Sequence, residues 1–408
     1  MKKTLPIAGA AAVRSLCSVA GAALFVLLSG CATHRPSRQS EEPVREFAAK
    51  GYASVEHGSV ASASVTWLAS GQPVRLVLAQ PARASAVTPV VIYLPGLGEA
   101  SDSGQRWRAA WASAGYSVLS VQLLDDDAAA WRSDLARAGE FRALGREHYA
   151  ASALSRRIRL LADLVVEGQR RTAAGETPWQ HMDWSKVAVA GFDLGAFTAM
   201  TVAGEHVPGA DDAGGRLPIR AAIALSPYAS FAAGSLATRY QDIRVPVMSV
   251  TSDVDGDLLG LVEAPHLREA PFVNMNGPDK YMLLLRGMPH AALGGGLDAK
   301  ALTTQTDAAN RSQDSHDRIG DEESGQRRRG SRRGSSGDGG RRTDRPGSGE
   351  GQVDARLSQT ALQQRMIALE DVSTAFLDAY LKDDPLAREW LARDAKRWLG
   401  AAGGLRTK

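Results

Sequence analysis

Short apolar runs recur along the chain, and amphipathic stretches separate them. Val90-Val91-Ile92-Tyr93-Leu94 is continuously apolar, as a strand buried on both faces requires. Pro89 is tolerable as that strand's first residue. Gln105 to Ala114 predicts a helix ended by Gly115, and Tyr116 to Gln122 predicts the next strand. Tyr149 to Glu167 carries apolar residues at helical spacing. Val187 to Ala190 reads as a strand and Gly195 to Ala203 as a helix. Ala221 to Leu225, Val245 to Thr251 and Tyr281 to Leu285 predict three further strands. Upstream, Val60 to Gln80 holds alternating β-rich runs, punctuated by Gly71-Gln72-Pro73. Downstream, Leu357 to Leu381 and Ala387 to Leu399 read as helices. Alternating strand and helix predicts an α/β protein, with a mostly parallel central sheet and helices on both faces. The main domain is expected over residues 56–302, completed by C-terminal helices over 354–408.

Two segments break this pattern. The first is N-terminal. Lys2, Lys3 and Arg14 precede an apolar run from about Val19 to Leu28, which is short for a membrane span. Leu28-Ser29-Gly30-Cys31 ends the run and resembles the lipobox of bacterial lipoproteins. That resemblance implies a signal peptide over 1–30, lipidation of Cys31 and an anchor in the cell envelope. Ala32 after the cysteine favours the outer membrane. Residues 31–55 read as a polar tether. The second segment, 303–353, is rich in Arg, Gly and Ser and poor in large apolar residues. Such a composition buries too little surface to offset the entropy of ordering, so the segment reads as a disordered insertion. Its basic patch, Arg327 to Arg333, is interspersed with acids nearby and has no aromatic for base stacking. A solvated surface loop describes it better than a nucleic-acid site.

Composition adds little against this. The 408 residues are 44% hydrophobic and 23% charged, with a formal charge of +3. No nucleic-acid partner is expected from that balance. Cleavage before Cys31 would remove Lys2, Lys3, Arg14 and Cys17. Cys31 would then be the single cysteine, which excludes a disulfide, a Cys metal site and a Cys nucleophile.

The candidate chemistry centres on Gly191-Phe192-Asp193-Leu194-Gly195, between a predicted strand and a predicted helix. That context matches a nucleophile elbow, Gly-x-nucleophile-x-Gly. The tight turn requires minimal flanking side chains. The Leu194 N–H would open a helix, where it can donate to a developing anion. Two more pieces follow in chain order. Ser252-Asp253-Val254-Asp255-Gly256-Asp257 lies past one strand, and Gly287-Met288-Pro289-His290 lies past the last.

Together these segments resemble α/β-hydrolases, most closely the dienelactone-hydrolase and platelet-activating-factor-acetylhydrolase-like branch. Leu94-Pro95-Gly96-Leu97-Gly98, Gly191 to Ala199, Ala221 to Pro227, and Pro289-His290-Ala291 carry the likeness. It covers roughly 60–302 and returns near Phe376 to Leu381. The resemblance implies a catalytic His290, oriented by an acid. Asp255 fits the spacing best, with Asp253 and Asp257 as rivals. It also implies an oxyanion hole from the N–H groups of Leu97 and Leu194, although Pro95 stands where the fold's loop usually has histidine. Members of that branch hydrolyse ester or lactone small molecules without metal or cofactor, using Ser or Cys.

Asp193 departs from that pattern. A carboxylate needs no base to ionise, but its attack on an ester must form an anhydride, which is uphill. Attack on a saturated carbon bearing a halide or an epoxide oxygen gives a stable ester instead. Haloalkane dehalogenases and epoxide hydrolases work this way, and the Gly191–Gly195 turn is similar to theirs. Against that likeness, Leu194 stands where those enzymes usually have Trp, and only Tyr228 and Tyr240 offer nearby epoxide activation. Three readings stay open. The first is a hydrolase of esterase descent using Asp193 as nucleophile or altered base. The second is a dehalogenase or epoxide hydrolase. The third is a non-catalytic binding or scaffold lipoprotein.

Overall fold

The computed structural model describes residues 38–69, 72–83, 86–210, 217–231, 234–296 and 348–408. The expected signal peptide, Cys31 and most of the Arg/Gly/Ser-rich segment lie outside the described residues. Helix α1 (Arg38–Ala49) precedes the antiparallel strands β1 (Val60–Ala69) and β2 (Gln72–Pro81). Strand β3 (Thr88–Leu94), helix α2 (Gln105–Ser113) and strand β4 (Ser117–Val121) follow. Short helices α3 (Asp134–Arg137) and α4 (Phe141–His148) lead into the long α5 (Ala151–Ala173). Then come β5 (Met182–Phe192), α6 (Leu194–Ala203), β6 (Ala221–Leu225) and α7 (Leu236–Arg239). After them run β7 (Val247–Thr251), α8 (Ala270–Asn274), β8 (Lys280–Leu285) and α9 (His290–Leu293). Helices α10 (Ser348–Leu381), α11 (Pro385–Arg393) and α12 (Ala395–Leu399) precede the last strand, β9 (Gly403–Thr407).

The strands form one nine-stranded sheet in the order β1-β2-β4-β3-β5-β6-β7-β8-β9. Strands β4, β3, β5, β6, β7 and β8 run parallel, while β1, β2 and β9 join antiparallel. The parallel strands are apolar because both of their faces are covered. Every residue of β3, β4, β6 and β7 is buried. Alternation along β3 sends its side chains into two cores. Val91 and Tyr93 pack with Trp107 and Trp111 of α2 and Phe376 of α10. Val90, Ile92 and Leu94 pack with Leu160, Leu161 and Leu164 of α5. The indole N–H groups inside the first core are satisfied: Trp107 donates to the Leu293 carbonyl and Trp111 to Ser373, each at 2.9 Å. The molecule is thus an α/β protein with a mixed, mostly parallel sheet.

Two expectations need correction. Residues 38–49 of the expected tether form helix α1. Its Phe47 ring stacks on Trp398 at 4.4 Å. The segment after α1 is also strapped down. Asp378 of α10 accepts from Tyr52 Oη (2.9 Å), Ser54 Oγ (2.8 Å) and Tyr116 Oη (2.6 Å). A polar sequence conceals this packing because each anchor is a single aromatic or hydroxyl facing a distant helix. The C-terminal part is likewise not purely helical. Residues 403–407 pair with β8, Leu405 lying opposite Leu283. Gly403 and Gly404 weaken any strand pattern in the sequence, yet Gly403 has to be small. A Cβ there would stand 2.5 Å from the Leu284 carbonyl oxygen.

Candidate active site

Strands β3, β5, β6, β7 and β8 deliver their carboxyl ends to one edge of the sheet. Open α/β sheets bind ligands in the crevice beyond that edge. The loop of Leu97 follows β3, Asp193 follows β5, Ser226 follows β6, Asp255 follows β7 and His290 follows β8.

Asp193 sits between β5 and α6 with φ 51° and ψ −110°. That backbone is strained for any residue with a Cβ. The turn closes because its flanks are glycines. A Cβ on Gly191 would lie 2.2 Å from the Gly195 carbonyl carbon. A Cβ on Gly195 would lie 1.9 Å from the Leu94 carbonyl oxygen. Asp193 N–H is held by the Leu225 carbonyl at 2.9 Å. The carboxyl is nearly buried, and its Oδ1 accepts from the Tyr149 hydroxyl at 2.7 Å.

The structure separates the three acids after β7. Asp255 Oδ1 lies 2.7 Å from His290 Nδ1. Its Oδ2 accepts from Thr251 Oγ1 at 2.7 Å and lies 3.5 Å from Arg268 Nε. Ser226 Oγ donates to Asp255 Oδ1 at 2.9 Å and lies 3.1 Å from His290 Nδ1. Asp253 instead accepts from the Gly287 N–H at 2.6 Å. Asp257 accepts from the N–H groups of Leu259 (2.9 Å) and Val262 (2.7 Å). Both rivals therefore hold loop backbone rather than the imidazole.

Burial opposes the charge on Asp255, but Arg268, His290 and Thr251 outweigh it and hold the carboxyl below its ordinary range. Burial likewise opposes the charge on His290, but the hydrogen bond and charge of Asp255, with Asp193 adding, raise it above the ordinary imidazole value. The Asp255 acceptor requires a proton on Nδ1, which leaves Nε2 as the basic nitrogen of the neutral ring. The Phe192 ring lies 4.8 Å from the imidazole and limits its rotation.

Leu194 opens α6, so its N–H lies in the first turn, where no intrahelical acceptor exists. The loop of Leu97 passes beside Asp193: a Cβ on Gly96 would lie 3.4 Å from the Asp193 Cβ. Leu97 and Leu194 share one apolar cluster with Tyr149, Phe197, Leu259 and Leu261. The loop is held from below. Gln122 Nε2 donates to the Gly96 carbonyl at 2.9 Å, and Gly98 N–H donates to the Asp126 carbonyl at 2.8 Å. Glu99 Oε2 accepts from the Gly96 N–H at 3.0 Å. Burial pushes the Glu99 carboxyl up to about 7, helped by the Asp193 charge, while the Gly96 N–H and His290 act the other way.

Tyr149, Glu99, Ser226 and Arg268 are thus site residues that the sequence did not single out. Ser226 lay within a quoted motif, whereas Tyr149 marked only the start of a helix. Glu99 directly follows the Leu94–Gly98 loop motif without being given a role there, and nothing in the sequence pointed to Arg268. Of the two tyrosines considered for epoxide activation, Tyr240 is fully buried and donates to the Tyr228 carbonyl at 3.3 Å. The Tyr228 ring packs 4.7 Å from that of Tyr149. Among the described residues no cluster of three or more His, Cys, Asp or Glu is arranged to hold a metal ion. No described helix is long and apolar enough to cross a membrane. A cleft of about 790 Å³ lies elsewhere, between α1 and the C-terminal helices, lined by Phe47, Trp390 and Trp398. It touches neither Asp193 nor His290.

No protein-family model matches the chain, and no curated protein sequence matches it. The class is therefore defined by the fold, α/β with a mixed nine-stranded sheet.

Proposed function

We propose that the chain is a hydrolase of the α/β-hydrolase fold whose nucleophile is the Asp193 carboxylate, held in the cell envelope by a lipid on Cys31. The observation that carries this is the strained Asp193 turn placed at the same sheet edge as the hydrogen-bonded Asp255–His290 pair. Strain of this kind costs about 1–3 kcal/mol and persists where surrounding structure holds it for a purpose. The strand order, with an antiparallel second strand and a parallel run from β4 to β8, supports the fold assignment. The lipobox-like Leu28–Cys31 supports the location.

Carboxylate chemistry favours a saturated carbon over an ester carbonyl. Asp193 Oδ2 attacks a carbon bearing a halide or an epoxide oxygen. A carbon–oxygen bond forms, and the carbon–halogen or carbon–oxygen bond breaks with its electron pair leaving on the halide or alkoxide. Water then gives a proton to His290 Nε2 and adds to the Asp193 Cγ. Collapse expels the product alcohol, which takes the proton from His290 and leaves Asp193 as the carboxylic acid. That acid restores the carboxylate by giving its proton to solvent, as the counterpart of the released halide, or to the alkoxide of an opened epoxide. The N–H groups of Leu97 and Leu194 supply the positive edge of the site, where negative charge gathers. Asp255 orients the ring and stabilises its protonated form.

The test uses the full-length chain with 1-bromobutane, styrene oxide and p-nitrophenyl acetate in oxygen-18 water. Turnover of an alkyl substrate, with the label entering the Asp193 carboxyl and loss of turnover in Asp193→Ala, is the expected result. Ester turnover with an unlabelled Asp193 would overturn the nucleophile role. Inertness toward all three would move the protein to a non-catalytic binding role.

A further inference from the structure

We propose that the Tyr149 hydroxyl is a catalytic oxyanion donor, aimed at the Asp193 oxygen that becomes the carbonyl oxygen of the covalent ester. The assignment rests on the carboxylate-nucleophile reading above. It starts from an asymmetry in the Asp193 carboxylate. Oδ1 accepts from Tyr149 Oη at 2.7 Å, whereas among the described residues no donor is bound to Oδ2. Oδ2 is therefore the oxygen that attacks, and Oδ1 the one that stays as C=O. When water adds to Cγ, the electron pair of that double bond moves onto Oδ1. The developing anion appears within the 2.7–3.1 Å range that defines an oxyanion donor.

The hydroxyl is suited to this work. Burial, with the Asp193 charge adding, pushes its ionisation well above the ordinary tyrosine value, so it remains a donor at every working pH. The ring is clamped by Phe197, stacked at 5.6 Å, and by Tyr228 at 4.7 Å. The backbone before it is fixed from two sides. His148 Nδ1 pairs with Asp126 Oδ1 at 2.7 Å, and Arg157 Nη1 donates to the His148 carbonyl at 3.0 Å. Asp126 also accepts the Gly98 N–H of the Leu97 loop through its carbonyl, so one buried residue positions both sides of the site. A phenylalanine would fill the same apolar wall. Among the described residues the hydroxyl is bonded to Asp193, and burying it without that bond would be costly.

The test compares Tyr149→Phe with the wild type in the full-length chain, using 1-bromobutane and styrene oxide. Rapid quench and mass spectrometry of the Asp193 peptide follow the covalent ester, and oxygen-18 water follows its hydrolysis. In Tyr149→Phe the ester is expected to form within a few-fold of the wild-type rate. Its hydrolysis is expected to slow about 10²- to 10³-fold, so that ester accumulates. An unchanged melting temperature alongside that split separates the donor role from packing. Wild-type hydrolysis of the ester in Tyr149→Phe, with Asp193 still labelled, would overturn this assignment and leave the nucleophile reading standing. Slowed ester formation with normal hydrolysis would also overturn it. Absence of ester and label from the wild type with both probes removes the nucleophile reading and this assignment with it.

Discussion

At the scale of single residues, the charge pattern around His290 sets the pH behaviour. Burial lowers the tendency of the ring to protonate, but Asp255 and Asp193 together raise it. If Asp193 acts as the proposed nucleophile, hydrolysis of its ester needs the neutral ring, so the rate is expected to climb with pH through a midpoint above the free imidazole value of about 6.5. Asp255→Asn removes the nearest negative charge. The midpoint of the His290 NMR titration is then expected to fall, and a midpoint that stays or rises would contradict the pairing. The same raised value has a stability consequence. It favours the folded state below the unfolded imidazole value, and the gain is lost as pH rises through the folded value. Asp255 itself illustrates what sequence spacing leaves open. Asp253, Asp255 and Asp257 stand two residues apart in one acidic turn, and backbone geometry alone sends one of them to the imidazole and two to loop N–H groups.

At the scale of elements, the Asp193 turn and helix α10 make the sharpest demands. Gly195→Ala would drive a methyl group to 1.9 Å from the Leu94 carbonyl oxygen. A loss of roughly 3 kcal/mol is expected, together with a displaced Asp193, and urea unfolding would measure it. On α10, the Asp371 carboxyl accepts the Tyr52 N–H at 3.1 Å. Burial, with Glu370 adding, raises this group to about 8. An unfolded aspartate titrates near ~3.9, so the folded chain holds the extra proton between these values. Stability is therefore expected to fall as pH rises from about 4 to about 8 and then to level off. Asp371→Asn should flatten that slope, and thermal melts across the range would show whether it does. The glycines that flank the Asp193 turn were legible from the sequence because their spacing is local. The strap on α10 was not, since Tyr52 and Asp371 are 319 residues apart.

At the scale of the whole molecule, the sheet is closed at one end by β9, which pairs antiparallel with β8. Deleting residues 403–408 would expose the β8 edge and its unpaired backbone groups. Concentration-dependent association is expected, with light scattering as the measurement, and a monodisperse truncated chain would refute the capping role. The site itself depends on this architecture. Five strand ends bring the Leu97 loop, Asp193, Ser226, Asp255 and His290 to one edge.

The sequence by itself determined the α/β class, the succession of the central strands along the chain and the position of the glycine-flanked Asp193 turn. Apolar runs, helical spacing and glycine pairs are read over a few residues, and the physics that selects them is equally local. Tertiary structure alone decided which acid meets His290, that Tyr149 meets Asp193 across 44 positions, and that Glu99 and Arg268 lie in the same charge field. It also decided that residues 38–49 fold as a helix against the C-terminal aromatics. These pairings depend on how strands and helices stack, and a side chain's partner across such distances leaves no mark on its own neighbours in the chain.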